Sequence, residues 1–173
     1  MKKKYVKLHN IIFPIWMLFW ILPIFWIVVL PANFLIDLLV IILTMRYMNI
    51  QDIRQKAKAV ILKVWIFGFA ADFIGSLGML LAMIITFDFK TPFGNWWYYN
   101  ITSGVAINPF DNIFSFVWVT LCIIAAAYFI YIFNCKICLK NIDISDSEKK
   151  RIALSLAIFT APYLLYLPTK LFY

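Results

Sequence analysis

Two aspartates stand where carboxylates are expensive. Asp37 lies in the apolar run that begins at Ala32, and Asp72 in the run that begins at Val64. An ionisable side chain at bilayer depth costs about 2.5–3.5 kcal/mol on insertion scales. It must therefore face protein or water, and it marks a candidate functional site. The plainer role is a hydrogen-bonded Asp that holds helices together. Helical neighbours fall three or four residues apart, so Asn33 shares a face with Asp37, and Ser76 with Asp72. These four form the candidate ion or substrate site, with Asp72 as its principal residue. Counted along the expected helices, Asp37 is about 8 Å from the outer face and Asp72 about 12 Å from the inner one. Their depths then differ by about 10 Å, and no direct contact is expected.

Other polar stripes follow the same spacing. Asp111, Ser115, Trp118 and Cys122 form one, and Ser155 and Thr160 lie on nearby faces further on. Pro162 frees the carbonyl of Ile158, because proline has no N–H to offer it. Gly68, Ala71, Gly75, Gly78 and Ala82 let a second helix approach closely, within the monomer or across a dimer face. Trp96, Trp97, Tyr98 and Tyr99 stand in a row in an external loop. They read as an interfacial aromatic belt, or more sharply as a lid or ligand platform.

Enzyme chemistry is not expected. The chain has one histidine, His9, and no HExxH, GxSxG or phosphate-cradling glycine loop. Paired membrane aspartates invite comparison with proteolytic dyads, but Ala71-Asp72-Phe73-Ile74-Gly75 is not a GxGD pattern. Cys135 and Cys138 make a lone CxxC, while structural zinc wants four ligands. Free thiols are the default, and neither metal nor cofactor is expected.

The elements that must position these residues follow from composition. Of 173 residues, 65% are hydrophobic and 14% charged, with mean hydropathy +0.90. A soluble domain carries about a quarter charged residues; this is an all-α integral membrane protein. A spanning helix needs about 20 apolar residues, and the pattern predicts five spans, near 11–30, 32–47, 64–87, 109–133 and 152–172, in a single domain, 1–173. The first apolar run is too long for a signal peptide and reads as an uncleaved helix. Only Pro31, Ala32 and Asn33 separate the first two spans, which predicts a tight hairpin. Ser145-Asp146-Ser147-Glu148 forms a capping box before the fifth.

The net charge is +8, and its placement sets orientation. With the N-terminus in the cytoplasm and the C-terminus outside, 14 of the 16 Lys and Arg fall inside, as the positive-inside rule asks. Nucleic acid is not expected as a partner. Arg46, Arg54, Lys56, Lys58 and Lys63 share a connector whose apolar residues recur at helical spacing. It reads as an amphipathic helix on the inner leaflet, with its lysines on anionic lipid. Residue usage rich in Lys, Ile, Asn and Phe points to a bacterial plasma membrane. The expected function is a transporter or channel component built around a buried carboxylate, working as a homo-oligomer or with a partner membrane subunit. The alternative is a scaffold, sensor or accessory subunit.

Overall fold

A computed structural model describes residues 14–171. Seven α-helices follow in order: α1 (Ile15–Ile21), α2 (Pro23–Tyr47), α3 (Ile53–Ile84), α4 (Pro92–Trp97), α5 (Ser103–Ile107), α6 (Ile113–Phe133) and α7 (Asp146–Phe159). π-turns join α4 to α5 and extend α6 to Cys138. Among the described residues three helices are long and apolar enough to cross a membrane: Trp26–Tyr47 within α2, all of α3, and Ile113–Cys138.

The expected hairpin at residues 31–33 is not there. α2 runs through Pro31 without interruption. A proline inside an apolar helix removes one hydrogen bond, and without competing water the remaining bonds carry the helix on. The break falls instead at Leu22, which is extended (φ −95, ψ 113), with Pro23 in the first turn of α2. There its missing N–H would be unpaired in any case. The expected first span is thus divided between α1 and α2. Its first residues, with Lys2, Lys3, Lys4 and Lys7, lie outside the described residues. α1, seven residues long, is too short to cross a bilayer.

The amphipathic connector is not a separate surface helix either. It is the first part of α3, because no Gly or Pro interrupts the chain between Ile53 and Gly68. Its apolar face meets protein rather than lipid: Ala57, Val60, Ile61 and Val64 pack with Ile41, Met45, Leu139 and Ile152 in a core at the basic end. The α2–α3 turn uses Asn49 and Asp52 in the left-handed region, both at φ 55. Asn and Asp adopt that conformation more readily than other non-glycine residues.

A second core lies at the opposite end, where Met79, Ala82, Val105, Val119 and Leu165 meet Trp16. α3 and α6 connect the two cores, and small residues let them close. A Cβ on Gly75 would lie 3.1 Å from the Ala126 Cβ and 3.2 Å from the Cys122 carbonyl oxygen. The Trp118 indole N–H donates to the Gly78 carbonyl at 3.0 Å. Gly75 and Gly78 of the glycine stripe therefore pack against α6 within the monomer. Asn112 caps α6 by accepting from the Phe114 N–H at 2.8 Å. Asn108 caps the short 3-10 turn Pro109–Asp111 just before it.

α7 opens on the capping box as expected: Ser145 accepts from the Glu148 N–H, and the Glu148 carboxylate accepts from the Ser145 N–H. Those bonds hold the Glu148 carboxyl below the usual glutamate range. The helix does not continue to residue 172. It stops at Phe159, because Pro162 cannot donate to Ile158 and disfavours helix in the residue before it. The Tyr163 hydroxyl takes the freed Ile158 carbonyl at 2.6 Å. The chain then runs on with two 3-10 turns, Tyr163–Tyr166 and Thr169–Leu171. It ends at the same end of the bundle as α5: the Lys170 ammonium meets Asp111 at 3.1 Å, and Thr169 accepts from the Ile15 N–H at 2.9 Å.

Candidate functional site

Between the two cores lies a cavity of about 490 Å³. α2 contributes Asn33 and Asp37, α3 contributes Gly68, Asp72 and Ser76, and the break after α7 contributes Thr160. The four polar residues expected from their spacing therefore line one cavity. On α3, Gly68, Asp72 and Ser76 are four residues apart, and on α2 so are Asn33 and Asp37. Each set rises about 6 Å per step along one face.

Asp37 is only 6% exposed, and its carboxyl lies near Thr160, whose hydroxyl donates to the Leu156 carbonyl at 2.8 Å. Gly68 stands opposite the Asp37 carboxyl: a Cβ there would make an ordinary contact, 3.7 Å from an Asp37 oxygen. One turn further along α3, the Asp72 Oδ1 is buried and has no hydrogen-bond partner among the described residues. The Ser76 hydroxyl donates to the Asp72 backbone carbonyl at 3.0 Å, so that bond does not serve the carboxyl.

The expected depth difference needs correction. α2 begins at Pro23 rather than near Ala32, so Asp37 sits about 21 Å along it instead of one turn in. That brings Asp37 level with Gly68 and within electrostatic range of Asp72. No hydrogen bond between the two carboxyls is found among the described residues, but they share a cavity.

The rest of the lining is apolar and aromatic, including Trp16, Trp26, Trp65, Phe69 and Phe159. Among the described residues no Lys, Arg or His lines it. The end of α7 adds to the negative field, since a helix C-terminus carries about half a negative charge. The segment after α7, residues 160–165, lines the cavity. The cavity thus gathers two carboxyls and a helix C-terminus, with no basic side chain among the described residues.

Residue spacing did not single out Gly68, Trp65 or Trp26 as members of the site. Thr160 and Pro162 carried a signal, a hydroxyl and a helix breaker two residues apart, without showing what they would face. Trp96, Trp97, Tyr98 and Tyr99 do not line the cavity. Trp96 packs edge-on against Phe114 at 5.0 Å, and Trp97 against Trp118 at 5.7 Å. The Cys135 and Cys138 thiols, in the π-turn after α6, are free, and His9 lies outside the described residues. Comparison with family models, curated proteins and solved structures returned no match.

Proposed function

We propose that this is a transport or channel component of a bacterial plasma membrane, with Asp72 and Asp37 as its carboxylate site. The observation that carries the reading is the convergence of Asn33, Asp37, Asp72 and Ser76 on one cavity between the cores. Discontinuous helices whose broken ends face charged residues are a recurrent way to build solute sites inside membranes, and α7 breaks beside Asp37. A bundle this small has little room for a path of its own, so we assign it a second copy or a partner membrane subunit.

In this reading the basic end faces the cytoplasm, where Lys and Arg of the connector contact anionic lipid. α4, α5 and the C-terminus face outward. The described chain then makes four passages: α2, α3, α6, and α7 with the unwound segment after it. The first expected span contributes its second half to α2 rather than a passage of its own. α1 then lies outward with the C-terminal segment, a departure from the expected five spans with a cytoplasmic N-terminus. The orientation rests on the connector and the stretch around the loop before α7, which hold all the described Lys and Arg except Lys90 and Lys170.

Cysteine labelling tests this. In a background with Cys122, Cys135 and Cys138 replaced by Ala, single cysteines are placed at Asn95, Lys56 and Ser76. A small, permanently cationic thiol reagent is added outside intact cells. Asn95→Cys is expected to react at once and Lys56→Cys only after the membrane is opened. Ser76→Cys reacts from one side in the folded protein if solute and water reach the cavity. If neither this reagent nor a lipid-soluble maleimide modifies Ser76→Cys before denaturation, the bundle is sealed and the scaffold or accessory reading replaces this one.

A further inference from the structure

We infer that the ligand of this cavity is an amphiphilic organic cation, and that it arrives sideways, from the lipid, between α2 and the unwound segment after α7. This rests on the transport reading above and names its substrate class. The volume, about 490 Å³, lies within the roughly 300–1,000 Å³ range of small-molecule sites and is far larger than a bare ion requires. Calcium and magnesium sites take six or more oxygen ligands. Here two carboxyls and a few neutral oxygens face a wall of indole and phenyl rings.

Each part of that wall matches one part of an organic cation. The buried Asp72 Oδ1, without a partner among the described residues, awaits a positive or hydrogen-bonding group. Trp16, Trp26 and Trp65 line the cavity, and an indole ring attracts a cation within about 6 Å of its centre. The apolar remainder suits hydrocarbon or aryl groups around the charge. Among the described residues no basic side chain lines the cavity to compete with the ligand.

The route follows from exposure. Ile36, Phe159 and Leu164 line the cavity and are also 46%, 68% and 52% exposed. They belong to α2 and to the segment where α7 ends, so among the described residues the cavity opens on the side of the bundle. In the proposed orientation that side faces lipid. A ligand that partitions into the bilayer reaches the carboxyls by that route without crossing either core.

Two ions of nearly the same shape and opposite charge provide the test: tetraphenylphosphonium and tetraphenylborate. Equilibrium dialysis is carried out on the purified full chain in lipid nanodiscs, against empty nanodiscs. Saturable, stoichiometric binding of tetraphenylphosphonium is expected, with no saturable binding of tetraphenylborate. The Asp37→Asn/Asp72→Asn double variant is expected to lose at least tenfold in affinity. Phe159→Leu, at an exposed position that does not endanger folding, is expected to weaken binding about threefold through the lost ring. Equal binding of the two ions, or cation binding unchanged in the double and Phe159→Leu variants alike, overturns the inference. Such a failure with Ser76→Cys still labelled in the folded protein removes the ligand class and leaves the transport reading standing.

Discussion

Asp72→Asn is expected to preserve the fold and remove cation recognition. Asparagine matches aspartate in size but cannot ionise, so the substitution separates charge from packing. The Asp72 Oδ1 has no hydrogen-bond partner among the described residues, so the amide gives up no bond seen there. The change in unfolding free energy should stay within about 1 kcal/mol, well below the loss caused by breaking a satisfied buried pair. The effect on function should be much larger. Hydrogen bonds to charged groups are worth about 1.5–3 kcal/mol, which is roughly ten- to a hundredfold in affinity. Thermal melting in detergent measures both quantities. A ligand that binds only the native state raises the midpoint by mass action. Tetraphenylphosphonium should therefore raise the wild-type midpoint and leave that of Asp72→Asn unmoved, while the two ligand-free midpoints agree. If Asp72 is only glue between helices, ligand stabilisation survives the change.

The second large effect is steric. Gly68 faces Asp37 across open space, and its Cβ would make only an ordinary contact at 3.7 Å. Gly68→Ala should therefore be tolerated in both folding and binding. Gly68→Phe places a ring in the cavity, against Asp37, and should abolish ligand stabilisation even though both carboxyls remain. The same glycine-to-alanine change elsewhere should behave differently: at Gly104 a Cβ would fall 2.4 Å from the Ser115 Cβ. Overpacking of that kind costs about 1–3 kcal/mol. Comparable binding by wild type and Gly68→Phe, measured by the same ligand-induced shift, contradicts the placement of the site.

Much of this arrangement was legible in residue spacing. Steps of four along a helix put Asn33 below Asp37 and Asp72 below Ser76, and the structure turns both pairs to one cavity. The capping box at Ser145 and the close packing of the glycine stripe were legible for the same reason: each depends on residues near in sequence or on one helix face. The depth of Asp37 was not legible, because it depends on where α2 starts. Pro31-Ala32-Asn33 has the composition of a turn, yet a proline costs an apolar helix one bond, and the break moved to Leu22, between two apolar runs with no polar marker. The connector was misread for a related reason. Its apolar face is the same whether it lies on lipid or on protein, and only the folded chain brings Met45, Leu139 and Ile152 against it. The end of α7 was half legible. Pro162 frees one carbonyl wherever it stands, but that the break would face Asp37 depends on the packing of α7 against α2.

The most direct test of the central claim, that Asp37 and Asp72 face one lipid-accessible cavity, is chemical modification mapped by mass spectrometry. A lipid-soluble carbodiimide is added to membranes containing the intact protein, with and without tetraphenylphosphonium, and the modified carboxyls are identified by peptide. Adducts are expected on Asp37 or Asp72, suppressed by the cation, and absent from Asp52, Asp88 and Glu148, which lie toward the two aqueous faces. Both membrane aspartates left unmodified in the folded protein, while the denatured chain reacts at each, would contradict the account.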